Sequence, residues 1–154
     1  MKEQEMKDFC LKLMNSKKTA CLTTIGSDGF PYTRAVFNLR DPKTFPELSH
    51  VFEDHDEDFL VYVSTNTSSS KVAHIRLNSA VSLYYYDPED FRGVMLSGNI
   101  EIIEDMALKK ELYLDWWEKY YPKGAEDEDY TILKLKPRFI EIYFRLQKHV
   151  LQLE

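Results

Sequence analysis

The chain has only two cysteines, no apolar run approaching a membrane span, and no excess of basic residues. Cys10 and Cys21 form no close-spaced pair and stand among apolar neighbours, which speaks for buried reduced thiols and against a disulfide framework. Crossing a bilayer takes about 20 consecutive apolar residues, and no stretch comes near that length. The opening MKEQEMKDF lacks the apolar core of a secretory signal, so a cytoplasmic location is expected. Lysine and arginine number 20 against 26 acidic residues, a formal charge of −6. That balance argues against a surface devoted to nucleic-acid backbone, while leaving room for a local basic pocket. Internal repeats and low-complexity tails are missing too.

What is present suits one compact domain over residues 1–154, since 44% of the residues are hydrophobic and can build a core without staples. Met6, Phe9, Cys10 and Leu13 recur at helical spacing and predict an amphipathic helix over about residues 3–15. Thr19 to Ile25, the turn Gly26-Ser-Asp-Gly29 and Tyr32 to Leu39 spell a β-hairpin with Arg34 in its second strand. Residues 40–58, with Pro42 and Pro46, read as an acidic connection containing one helical turn. Further strands are expected from Phe59, over Val81–Tyr86, Val94–Ile103, Thr131–Leu135 and Phe139–Phe144. Gly98 interrupts the inward row Val94, Leu96, Ile100, Ile102 and marks a bulge or a close approach. Asp105 is expected to cap a helix reaching Tyr120, ended by Pro122 and Gly124. Six or seven strands with few helices give a mainly β fold, an antiparallel sheet most economically closed as a small barrel.

The most informative run is Phe59 to Lys71, an apolar strand that empties into Ser64, Thr65, Asn66, Thr67, Ser68, Ser69, Ser70 and one lysine, followed by a short helix over Val72–Leu77. Such a turn gathers backbone N–H groups, hydroxyls and the positive end of a helix dipole around one point, which suits a phosphate. Taken alone, the run fits a capped helix start at least as well.

Three segments in order, Gly29-Phe-Pro-Tyr-Thr-Arg-Ala-Val36, the Ser-rich turn ending in Lys71, and Phe139-Ile-Glu-Ile-Tyr143, resemble the pyridoxamine 5′-phosphate oxidase-like flavoproteins of the FMN-binding split β-barrel fold. Within them the chain is similar to the small branch called general stress protein 26-like, including the block Trp116-Trp-Glu-Lys-Tyr-Tyr-Pro-Lys-Gly124. The resemblance covers nearly the whole chain. It implies FMN as cofactor, bound between the subunits of a homodimer, and an unknown small-molecule substrate. Arg34 and Val36 match the family's Arg-x-Val strand, where the arginine binds the FMN phosphate and backbone around Ala35 meets the flavin. Ser64 and Thr65 match a pair that contacts flavin and ribityl groups, and Ser70 and Lys71 match an Arg-Lys pair on the phosphate, with serine replacing the arginine. Ser69 adds a hydroxyl to that shell. Tyr143 falls where longer oxidases carry a tryptophan beside the flavin. Leu39 stands where true vitamin B6 oxidases have a lysine, and Arg145 and His149 are mis-spaced for their Arg-x-His motif. A flavin-dependent oxidoreductase other than a pyridoxamine phosphate oxidase is therefore implied, with no catalytic side chain assigned. A flavin-binding stress protein without turnover, or a related barrel using deazaflavin or haem, are the alternatives.

Other candidates read more plainly. Trp116, Trp117, Tyr120 and Tyr121 are expected to pack rather than floor a pocket. Tyr84, Tyr85 and Tyr86 alternate across a strand, one face inward and the other toward solvent or a second subunit. His50, Asp54, His55, Asp56 and Asp58 lack metal-ligand spacing and read as a solvated acidic loop, and His74 reads as a packing or surface histidine.

Overall fold

The computed structural model describes all 154 residues. Helix α1 (Glu3–Met14) buries Cys10, Leu13 and Met14 and exposes Asp8 and Lys12, as its apolar spacing dictates. Buried Asn38 fixes the helix end by donating to the backbone oxygens of Met14 and Lys17. Strands β1 (Thr19–Ile25) and β2 (Pro31–Phe37) form a hairpin in register from Thr19 opposite Phe37 to Ile25 opposite Pro31. Its turn places Gly29 at a φ of +80°, where a side chain would strain the backbone. The connection that follows contains one 3-10 turn, Pro46–Phe52. Buried Arg40 pins it, donating from Nε to the Leu60 oxygen at 2.8 Å and from Nη2 to the His55 oxygen at 2.9 Å.

Strand β3 (Val61–Asn66) leads through the Ser-rich turn into α2 (Ser70–Leu77), then β4 (Ala80–Asp87) and β5 (Arg92–Ile103). Helix α3 (Met106–Glu111) begins at Asp105, whose carboxylate accepts from the Ala107 N–H at 2.9 Å. It does not run on to Tyr120: the chain leaves the helix at Leu112 and makes two 3-10 turns, Asp115–Lys119 and Gly124–Glu126. Burial explains the break. Leu112, Leu114, Trp117 and Tyr121 all enter the same core, and Leu112 and Leu114 lie on opposite sides of a regular helix. Strands β6 (Tyr130–Leu135), β7 (Phe139–Phe144) and β8 (Gln147–Gln152) complete the chain.

These eight strands form one antiparallel sheet in the order β2-β1-β4-β5-β6-β3, with β7 beside β5 and β8 beside β7. The sheet curls as a split β-barrel, the expected class, with an eighth strand beyond the six or seven read from sequence. That strand returns through Arg145 and Leu146, both at positive φ (51° and 61°), a hairpin turn built without the usual Asn-Gly signal. Strand β5 is the hinge of the sheet. Its Gly93–Ser97 half pairs with β7 and its Ile100–Ile103 half with β6, so the two partners diverge at Gly98. The ends of the path, β2 and β3, approach each other without a hydrogen-bonded ladder. One core fills the barrel (Leu22, Val36, Val63, Leu83, Leu96, Ile140) under α1 and α2, and a second lies outside β3 and β6 (Leu39, Phe45, Tyr62, Leu114, Trp117, Tyr130). No helix is long and apolar enough to cross a membrane.

A β-carbon at Gly98 would lie 3.1 Å from the Lys136 backbone oxygen, 3.2 Å from Leu135 Cδ1 and 3.3 Å from the Arg138 nitrogen. Two of the three are backbone and cannot swing aside. Gly98→Val is expected to cost about 1–3 kcal/mol. The thermal midpoint should fall by roughly 3–10 °C, measured by circular dichroism.

Candidate functional site

The seam between β2 and β3 is where the sheet leaves backbone groups unpaired, and a cavity of about 430 Å3 opens there. Ala35, Val36 and Phe37 line it from β2, Ser64, Thr65 and Asn66 from β3, and Lys71 from the first turn of α2. Trp117, Tyr120 and Tyr121 form its aromatic wall. Trp117 and Tyr121 belong to the outer core as well, so their packing role and their place on the cavity coexist. The volume falls in the range of sites for cofactor-sized molecules, about 300–1,000 Å3. No carboxylate or imidazole lines it.

Lys71 and Arg34 give the site its charge. Burial holds the Lys71 ammonium below its ordinary pKa, and the nearby Arg34 guanidinium pushes in the same direction. Arg34 is lowered by partial burial as well. Neither cation has a carboxylate within ion-pairing distance, although eight lysine or arginine ion pairs form elsewhere in this acidic protein. Arg34 donates only through Nη1, to Thr24 Oγ1 at 2.7 Å, the Tyr32 oxygen at 2.9 Å and the Leu22 oxygen at 3.3 Å. Its Nη2 and Nε hydrogens have no protein acceptor.

The Ser-rich turn is braced from β6. The Thr67 N–H donates to the Asp129 backbone oxygen at 2.8 Å, and the Asp129 carboxylate accepts from Asn66 Nδ2 at 2.7 Å and the Ser68 N–H at 2.8 Å. Ser69 occupies the N-cap position of α2, yet its hydroxyl makes no capping bond and lies 3.5 Å from Thr65 Oγ1. No side chain therefore closes the start of α2, and Ser70 is exposed at its first position.

The residues singled out from the sequence thus separate into two groups. Ala35, Val36, Ser64, Thr65 and Lys71 share the seam cavity, with Arg34 and Ser69 beside it. Tyr143 does not join them. It faces a second cavity of about 540 Å3 on the outer side of the sheet, with Cys21, Tyr84, Gly93, Met95 and Lys148. In the loop at 50–58, His55 meets Asp58 at 2.9 Å while His50 meets Glu111 at 3.2 Å, so the two histidines face different partners. Thr24 was not legible as a site residue. The signal was a hydroxyl at the end of an inward row, Ala20, Leu22, Thr24, where an apolar residue is the default.

A split barrel with two cations near its seam and no carboxylate paired with them offers an anion favourable ground, and comparison with known proteins gives the family. The family model for pyridoxamine 5′-phosphate oxidase matches residues 4–144, and the chain belongs to that family. A solved protein from Clostridium acetobutylicum, related to general stress protein 26 of the pyridoxinephosphate oxidase family, is 30% identical, with 99% of this chain and 96% of that one covered at a TM-score of 0.79. Two further structures share the fold at 14% identity each. A haem binding protein from Mycobacterium smegmatis has a TM-score of 0.68, covering 95% of this chain and 57% of that one. A pyridoxamine 5′-phosphate oxidase-related, FMN binding protein from Nostoc punctiforme has a TM-score of 0.60, covering 100% and 97%. A comparison with curated proteins finds no match.

Hydrogen bonds from Asn66 and then Ser68 hold the Asp129 carboxyl below the usual aspartate range. A lowered folded value means the stabilisation is present above the unfolded value, about 3.9, and is lost as pH falls through the folded one. Asp129→Ala should melt earlier than the wild type at pH 7. The gap should close as the pH is taken below about 4 in a series of thermal melts.

Proposed function

We propose that this chain is a single-domain, cytoplasmic FMN-binding flavoprotein, a small flavin-dependent oxidoreductase acting as a homodimer on a small molecule. The observation that carries the reading is Lys71 on the wall of the seam cavity, with Arg34 near enough for its charge to act on it and no carboxylate paired with either. A phosphate monoester carrying close to two negative charges matches a guanidinium fork next to a point charge. The uncapped start of α2 and the Ser69 hydroxyl add donors at the same place, and they offset part of what Ser70 lacks relative to an arginine.

The fit extends to the ring. FMN supplies the redox chemistry when bound, and the protein's part is to bind and orient it. Ala35, Val36 and Phe37 present an edge strand, Ser64 and Thr65 present hydroxyls, and Trp117, Tyr120 and Tyr121 offer flat apolar surface. A lining without carboxylate or imidazole suits electron transfer that asks no side chain to move a proton. It also speaks against pyridoxamine phosphate as substrate. Leu39, at the position of the substrate-binding lysine, is fully buried in the outer core, and Arg145 sits in the β7–β8 turn while His149 lies on β8.

The place of Tyr143 supports the homodimer. This residue lines the outer cavity rather than the seam, so for it to lie beside the flavin it must come from a second copy. The outer face is suited to association: Tyr84 and Tyr86 stack there at 5.8 Å with an interplanar angle of 6°, both exposed, next to Met95 and Tyr143. Sedimentation velocity at micromolar concentration should show a dimer; a monomer ends this part of the reading.

Freshly purified protein should be yellow, with a flavin absorption spectrum and FMN as the extracted mass. A haem Soret band or a deazaflavin mass overturns the assignment. Combining Arg34→Ala with Lys71→Ala removes two charged contacts of about 1.5–3 kcal/mol each. FMN affinity should fall by at least about a hundredfold, while riboflavin, which lacks the phosphate, should bind the double variant as it binds the wild type. Unchanged FMN affinity places the phosphate elsewhere.

A further inference from the structure

Arg34 reaches the site through a hydrogen-bonded circuit that starts on another element. Thr24 is 0% exposed, and its Oγ1 lies 2.7 Å from Arg34 Nη1 and 2.9 Å from His74 Nδ1. A hydroxyl has one hydrogen to give and lone pairs to accept with. Arginine only donates, so Thr24 must accept from Arg34, and His74 Nδ1 is the one remaining partner through which its buried hydroxyl hydrogen can be satisfied. The tautomer that satisfies the hydroxyl carries its lone pair on Nδ1 and its hydrogen on Nε2. The imidazole is held in turn by Tyr32, with ring centroids 4.9 Å apart, and the Tyr32 hydroxyl donates to Asp28.

His74 stands three residues after Lys71 on α2, one turn along the same helix. The helix that carries one cation of the site therefore also orients the hydroxyl that fixes the other. Because Nη1 is fully engaged by Thr24, Tyr32 and Leu22, the guanidinium cannot rotate to present that nitrogen to a ligand. Its remaining edge, Nη2 and Nε, is the one left free.

We infer that Thr24 and His74 are positioning residues of the anion clamp, setting the angle at which Arg34 meets the phosphate of the cofactor and so the preference for a phosphorylated over an unphosphorylated flavin. The inference rests on the FMN reading above and goes beyond it, since neither residue lines the cavity.

The test is a fluorescence titration of the flavin-free protein with FMN and, separately, with riboflavin. Thr24→Val keeps the shape of the side chain and removes the hydroxyl. It should lower FMN affinity by about tenfold, in line with losing one hydrogen bond to a charged group, and leave riboflavin affinity unchanged. Thr24→Ser should restore the wild-type ratio. His74 is half-buried near the surface, so its variants keep the test usable if Thr24→Val misfolds. His74→Asn, whose side-chain oxygen can replace Nδ1 as acceptor, should retain the FMN preference, and His74→Leu should lose it. If Thr24→Val and His74→Leu keep the wild-type ratio, or weaken both flavins equally, the positioning role is overturned. The Arg34→Ala, Lys71→Ala double variant separates the two readings. Loss of FMN preference there, with preference retained in Thr24→Val and His74→Leu, overturns only the positioning role, whereas a wild-type ratio in the double variant overturns the phosphate site and this inference together.

Discussion

The divergence of β6 and β7 from β5 is the constraint on which the rest of the structure depends. A strand has two edges, and β4 occupies one edge of β5 along Arg92–Asn99. The other edge must serve β7 over Gly93–Ser97 and β6 over Ile100–Ile103, so Gly98 lies where the chain after β6 crosses close to it. The Arg138 N–H donating to the Ser97 oxygen at 2.8 Å closes the crossing. Once β6 is directed away from β7, β3 follows it, because β3 pairs with β6 over all six of its residues. The barrel is then left open between β3 and β2. The cavity is a consequence of the pairing scheme rather than of a loop folded over the surface, and its two walls are rigid strand edges.

Rigid walls matter for the charge at the seam. Two cations near each other and partly out of water are unfavourable unless something holds them. Arg34 is held by a hydroxyl and two carbonyls, neutral acceptors that satisfy its Nη1 donors without cancelling its charge. A carboxylate there would hold it more strongly and neutralise it. The chain carries an excess of acidic residues, and two on the flanking turns are committed elsewhere: Asp28 to Tyr32 and the Phe30 N–H, Asp129 to Asn66 and Ser68. The positive character of the site is thus a local product of which acids are occupied, and net charge carries no information about it.

Much of the scaffold could be read from the residues, because the relevant signals are local. The α1 periodicity, the Gly26–Gly29 turn and the strand alternation around Val94 and Leu96 each specify their element within one window. The misreadings have non-local causes. Strand β8 was hidden because Arg145 and Leu146 adopt positive φ without glycine or asparagine, a conformation set by the pairing of Gln147–Gln152 with β7. Helix α3 looks longer in the sequence than it is because Trp116, Trp117, Tyr120 and Tyr121 repeat at helical spacing, while the outer core draws in Leu112 and Leu114 together and breaks the helix between them. The site divides in the same way. Lys71 and the hydroxyls before it are contiguous in sequence, so the turn announces itself. The link from Arg34 through Thr24 to His74 joins residues 50 positions apart, and only the alignment of β1 under α2 brings them into contact.

That outer core also couples stability to the site. Trp117 meets Phe45 and Tyr130 at centroid distances of 6.3 Å each, and Phe45 in turn meets Phe37 at the cavity edge. Tyr130 begins β6, directly after Asp129, which braces the Ser-rich turn. The aromatic wall, the brace and the strand edge are therefore parts of one packed unit, of which the wall and the strand edge line the seam. A group lodged between Phe37 and Tyr120 would bury aromatic surface that is now exposed, 44% and 52% respectively. Burial of that surface is favourable in itself and is independent of the phosphate clamp. On the FMN reading proposed above, ring and phosphate fall to separate elements, the ring to the outer core and its strand edges, the phosphate to α2 and the β1–β2 hairpin. On that reading, a serine at position 70 in place of a basic residue weakens the phosphate half and leaves the half that grips the ring intact.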